Sequence, residues 1–192
     1  ELTYPFIIYD FDKDLLKTFD ENNSIKEQMK NSSSFLFPVI TNNNTLLDYQ
    51  VNIANGVVEY FQPADLPTDL GQDNVQIKSL STTIYTILEY NQLKKEDCYL
   101  VQMPYGPFVL FTNIDGEEFS IPLELALTNF NNVSKASTDE IKKRLLKMKE
   151  LFADPQTFTP TSENAPAFNV FKITDVWYGL YEEIINTFQE SK

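Results

Sequence analysis

The sequence predicts an α+β fold: a mixed sheet with packed helices, built as two pseudo-symmetric halves from an internal duplication. Three observations predict it. Residues 75–90, VQIKSLSTTIYTILEY, are echoed at 168–183, FNVFKITDVWYGLYEE. Strands with hairpin turns fill 35–61, where 47–53 has period-two alternation, and 98–123, whereas 137–152 has helical spacing. Apolar residues make up 42% of the 192 and aromatics 14%, enough to build a core and exclude a disordered chain despite the acidity.

The echo sets Ile77 on Val170, Leu80 on Ile173, Ser81 on Thr174, Tyr85 on Tyr178, Ile87 on Leu180 and Glu89 on Glu182. Each copy reads as a strand turning into a helix. Ser81 and Thr174 are the expected N-caps, whose hydroxyls accept from an orphan first-turn amide. Leu80 and Ile173 then precede the caps and Tyr85 and Tyr178 fall at the fourth helical position, the spacing of a hydrophobic staple. Apolar stripes follow, Ile84/Ile87/Leu88 in one helix and Trp177/Leu180/Tyr181/Ile184/Phe188 in the other.

In chain order, Phe6–Tyr9 is an apolar strand and Phe11, Leu15 and Phe19 mark a helical face. Ser24 and Glu27 have capping-box spacing for a second short helix ending near Lys30. The polar patch 31–34 closes an N-terminal region, 1–34. In the meander that follows, Leu47, Tyr49, Val51 and Ile53 alternate with Asp48, Gln50 and Asn52, the pattern of a half-buried strand. Asn55-Gly56 is a hairpin turn before Val57–Phe61, and 63–74 is a loop. Module one thus spans 35–92, with a connecting stretch over 93–106.

Module two, 107–189, opens after the Cys98–Met103 strand and the Pro104–Pro107 turn. Phe108–Asn113 and Glu117–Leu123 form a hairpin about Asp115-Gly116. Ser137 with Glu140 makes a capping box for a helix that buries Ile141, Leu145, Met148 and Phe152, faces its lysines to water and stops at Pro155. Smaller echoes support two modules within one domain, 1–192: FPVITN at 37–42 with VLFTN at 109–113, and QPADL at 62–66 with STDEI at 137–141. Pro67 stands where the second copy runs a helix, so the copies are unequal.

The net charge of −13 and pI near 4.3 oppose nucleic acid and anionic membrane surfaces as partners. No histidine is present and Cys98 is the only cysteine, which removes Ser-His-Asp and Cys-His catalysis, histidine metal sites and an intrachain disulfide. No cofactor is expected, and no role is assigned to Cys98. No apolar run approaches the ~20 residues of a membrane span, so no integral insertion is expected. The chain opens on Glu1 rather than Met, consistent with a targeting segment removed ahead of it.

FPVIT at 37–41, VVEYFQPADL at 57–66, VQIKSLSTTIYTI at 75–87, GPFVLFT at 106–112, FSIPL at 119–123, STDEIKKRLL at 137–146 and VFKITDVWYGL at 170–180 follow one another in an order that resembles the Tic22 family. These are peripheral components of plastid protein import with cyanobacterial relatives. The resemblance covers about 35–189 through short apolar motifs, and departs at Pro67 and at the short stretch before Phe108. It implies a pseudo-twofold α+β fold and a non-enzymatic, chaperone-like role with apolar grooves for precursor proteins. It also implies plastid translocon partners and a place in the intermembrane space of a chloroplast or apicoplast, or the periplasm of a bacterium.

An alternative enzyme reading starts from FIIYDFD at 6–12, which looks like the opening of haloacid-dehalogenase-type phosphotransferases, with Asp10 as nucleophile and Asp12 as general acid. Lys13-Asp14 follow where Gly and Thr belong, and no later Gly-Asp-rich magnesium motif occurs. Asp10, Asp12, Asp14 and Glu21 also match calcium-loop spacing, but Leu15 takes the position that needs glycine and Lys17 sits nearby. Solvated acids at a helix start account for them better, and no metal site is expected. Trp177, Tyr178 and Tyr181 could line a pocket, although an aromatic helix face is ordinarily core.

Overall fold

The computed structural model describes residues 5–11, 13–40, 46–63, 66–68, 76–153 and 175–190. In chain order the strands are β1 (Phe6–Asp10), β2 (Lys30–Ile40), β3 (Leu46–Ala54), β4 (Val57–Pro63), β5 (Leu66–Thr68), β6 (Gln76–Lys78), β7 (Cys98–Gln102), β8 (Phe108–Ile114) and β9 (Glu117–Pro122). The helices are α1 (Lys13–Thr18), α2 (Leu80–Asn91), α3 (Lys135–Ala153) and α4 (Leu180–Glu190). The fold is α+β, with a seven-stranded mixed sheet ordered β4-β3-β2-β1-β7-β8-β9.

At the centre β1 and β7 pair in parallel, Ile8 opposite Leu100. Antiparallel meanders run outward from that pair, through β2, β3 and β4 on one side and β8 and β9 on the other. Pairing sorts the side chains by face. Phe6, Ile8, Leu36, Leu100, Leu110 and Ile121 share one face, which α2 covers with Ile84, Ile87 and Leu88. On the other face Tyr99 stacks on Phe111, ring centroids 5.3 Å apart, and α3 lies over β9. Ser120 joins that contact, its Oγ 3.2 Å from Ser137 Oγ and 3.0 Å from Thr138 Oγ1.

The hairpins fall where the turn chemistry puts them. Asn55 and Gly56 have φ of 52° and 76°, and Asp115 and Gly116 53° and 86°, the left-handed pairs that suit a strand's twist. Helix α3 buries Ile141, Leu145, Met148 and Phe152 as its spacing requires. Its lysines do not all face water: Lys142 donates to Glu21 O and Asn23 O, and Lys149 to Phe19 O at 2.8 Å.

The caps differ from expectation. Helix α2 is capped by Ser79, whose Oγ accepts from Thr82 N at 3.2 Å, so Leu80 is its first residue and no staple to Tyr85 forms. Ser81 is drawn inward by Asp48 instead. Helix α3 starts a turn early because Ser134 Oγ accepts from Ser137 N at 3.0 Å, displacing the Ser137 cap. No capping box forms at Ser24: its hydroxyl donates to Glu118 and only a 3-10 turn, Lys26–Gln28, follows.

Two boundaries also move. Strand β2 begins at Lys30, so residue 34 lies inside it rather than closing a separate region. Within the expected loop 63–74, β5 forms and pairs antiparallel with β6. The residue-by-residue echo fails at its tyrosines. Tyr85 lies in the body of α2 with its ring edge-on to Phe6, whereas Tyr178 is 85% exposed in the turn before α4, next to Gly179 at φ 74°. The strand expected over 168–173, with Ile173 and Thr174, lies outside the described residues.

Candidate functional site

Strands β2 and β3 carry an inversion of the usual rule. Ser34, Asp48 and Gln50, all polar, are buried on the face that α2 covers, while Phe35, Phe37, Val39, Leu47, Tyr49, Val51 and Ile53 are only partly buried on the opposite face. The register places Phe35 opposite Val51, Phe37 opposite Tyr49 and Val39 opposite Leu47. Ile7 of β1 and Val58 of β4 extend the same face, at 39% and 56% exposure. The rings of Phe35 and Phe37 stand 6.2 Å apart. Among the described elements, α2 meets β3 on the other side.

Asp48 is buried because the start of α2 needs it. Asp48 accepts from Ser79 Oγ at 2.6 Å, Ser81 N at 2.7 Å and Ser81 Oγ at 2.5 Å. That carboxylate at a helix N-terminus fixes which face of β3 turns inward, since a buried charge requires such partners. Period-two alternation makes the apolar set face outward in consequence. The expected half-buried strand is present, but its apolar side is the more exposed one.

Charge is partitioned along the chain in the same place. Residues 31–77 contain Asp48, Glu59, Asp65, Asp69 and Asp73 and no lysine or arginine. An apolar sheet face therefore sits in a stretch that carries acids and no bases. Sequence reasoning identified neither the face nor the partition, although the unbroken run without basic residues was there to be read.

Asp10 ends β1 beside Gln102, the end of the parallel strand β7, in a crevice of ≈ 400 Å³ lined also by Phe11, Leu16, Met103 and Tyr105. That is the strand-end position where open α/β sheets place ligands, but such sites collect residues from several parallel strands and this sheet has one parallel pair. Asp12 lies outside the described residues. Asp14 is exposed and pairs with Lys17 at 3.3 Å, and Glu21 is exposed beyond α1. Among the described residues no group of three or more acidic or cysteine side chains could hold a metal ion.

At the opposite end of the parallel pair is a cleft of ≈ 430 Å³ lined by Phe6, Tyr9, Tyr99, Lys26, Lys95 and Cys98. Lys95 Nζ stands 4.0 Å over the Phe6 ring and Lys26 Nζ 5.5 Å over that of Tyr99. Burial pushes the Cys98 thiol above its ordinary pKa, which keeps it protonated rather than nucleophilic. Burial, and then Glu118, also pushes up the Tyr99 hydroxyl.

The C-terminal aromatics do not converge on a pocket. Trp177 Nε1 donates to Pro104 O at 2.9 Å, Tyr178 points to solvent, and Tyr181 is half-buried against the core. Arg144, the sole arginine, reaches from α3 to donate to Val176 O and Tyr178 O and pairs with Glu183 at 2.7 Å. These contacts dock α4 on α3. Among the described residues no helix is long and apolar enough to cross a membrane. No family model, curated protein or solved structure matches this chain.

Proposed function

We propose that the protein is a non-enzymatic, chaperone-like binder of unfolded or precursor proteins, taking basic, partly apolar segments on the β2–β4 face. The observation that carries this reading is the outward-facing apolar set Phe35, Phe37, Leu47, Tyr49 and Val51 within a stretch free of basic residues. Contiguous exposed apolar surface rimmed by polar groups marks interaction sites. The acidic field selects basic clients and speeds their encounter, while the apolar contact holds them. Ordering a flexible client opposes binding, which keeps it reversible. The resemblance to the Tic22 family supports the further proposal that the clients are precursors crossing between plastid membranes, with translocon components as partners.

The test is suppression of aggregation of a chemically unfolded protein, together with binding of a basic, leader-like peptide at low and high salt. Suppression is expected, as is peptide binding that weakens with salt without vanishing. Phe37→Ser should weaken both while leaving the circular dichroism spectrum unchanged. Absence of both suppression and low-salt binding in the parent protein would overturn the proposal.

A further inference from the structure

The two edges of the sheet are unlike. At one, Ser120 of β9 exchanges hydrogen bonds with Ser134, N to O at 3.2 and 3.0 Å, and α3 lies over the strand, so the outward backbone there is engaged. At the other, β4 pairs with β3 alone among the described residues. Val57 and Val58 on that outer strand are 64% and 56% exposed, and Glu59 beside them is exposed. Natural edges are commonly guarded by lysines pointing outward, and β4 has none. Its protection is limited to a register shift near Val58, the Glu59 charge and Pro63 at its far end.

We propose that β4 receives an extended client segment as an added strand, so that recognition is by backbone pairing at this edge as well as by side-chain contact on the neighbouring face. The inference rests on the binding function proposed above and specifies its partner: an extended segment in which apolar residues alternate with lysine or arginine. Alternate side chains of an added strand point to opposite faces. The apolar set continues the surface of Phe35, Tyr49, Val51 and Val58 across the new strand. The intervening cations meet Glu59, the exposed acid of β4, on a strand that carries no lysine or arginine. Main-chain bonds make such binding tolerant of sequence, because alternate pockets rather than individual residues give what specificity there is. Tolerance of that kind suits a protein whose clients share only a basic, partly apolar character.

Backbone amide methylation of the client tests this with the protein unaltered. A labelled peptide of alternating lysine and valine is compared with two derivatives, one methylated on the valine amides and one on the lysine amides. An added strand presents only one of these amide sets to β4. One derivative should therefore bind more than about tenfold more weakly, as two or three strand bonds are lost, and the other should bind nearly as the parent does. Equal affinity of all three, or equal weakening of both derivatives, would overturn strand addition while leaving the binding function standing. Absence of binding by the parent peptide would overturn both. Sedimentation of the free protein gives the remaining outcome: a stable dimer that excludes the peptide would assign the edge to a second copy and overturn the proposal.

Discussion

Asp48 is a strand residue that acts as a helix cap, and Glu118 does a similar task elsewhere. Asp48 is wholly buried and holds Ser79 and Ser81 through three hydrogen bonds. Asp48→Asn removes the charge-assisted acceptor and is expected to cost about 1–3 kcal/mol, read as a lower denaturation midpoint; an unchanged midpoint would count against the capping role. Glu118 accepts from Tyr99 Oη at 2.7 Å, Ser24 Oγ at 2.7 Å, Ile25 N at 2.9 Å and Lys26 N at 3.3 Å. Burial alone would raise its pKa, but the Ile25 amide, the Tyr99 and Ser24 hydroxyls and the Lys26 amide together hold it below the ordinary value. A carboxyl with a lowered folded pKa stabilises the fold above its unfolded pKa, about 4.3, and that contribution is lost as pH falls through the folded value. Glu118→Gln should therefore flatten the acid limb of stability against pH, and a limb identical to the parent's would refute the assignment.

Elements are joined by a few specific contacts, and the docking of α4 is the clearest. Trp177, the only tryptophan, lies against Gly106, where an added Cβ would come within 2.5 Å of the indole ring. The glycine is required for closeness, not for its backbone angles. Gly106→Ala should push the indole off the 104–107 turn, red-shift the tryptophan emission and destabilise the protein by about 1–3 kcal/mol. Emission and stability both unchanged would mean that the turn yields freely. Helix α4, which follows, carries Tyr181, which hydrogen-bonds Glu124 and whose hydroxyl pKa is pushed up by burial and by that carboxylate. Burial in turn raises the Glu124 pKa. Helix α4 thus buries Leu180 and Ile184, sets Phe188 edge-on to Phe130 at 5.2 Å, and is anchored further by Arg144 of α3, by Glu124 and, just ahead of it, by Trp177 on the turn after β7.

For the molecule as a whole, the arrangement of charge and apolar surface carries the functional argument. Among the described residues, one end of the sheet is closed by helix α3 and a backbone bridge, and the other presents an apolar face and an edge strand paired on one side, in a stretch without bases. The proposed binding of a basic client rests on that asymmetry rather than on any one residue. Its salt dependence and its dependence on backbone amides are the two measurements that separate the acidic field from the edge.

Hairpins, the buried side of α3 and the α+β class were legible in the sequence because each rests on local chemistry. Asn55-Gly56 and Asp115-Gly116 supply left-handed turns whatever surrounds them, and Ile141, Leu145, Met148 and Phe152 recur at helical spacing. Tertiary contact decided the rest. The cap of α2 moved to Ser79 because Asp48, more than thirty residues upstream, claimed Ser81. The same contact turned the polar side of β3 inward and its apolar side out, an outcome that alternation leaves undetermined, since period two names two faces without saying which is covered. The likeness of 75–90 to 168–183 is a matter of residue type, and it places Tyr85 within a helix and Tyr178 ahead of one. Local pattern fixes turns, periods and stripes; which face meets a partner depends on groups distant in sequence, and only the folded chain brings those together.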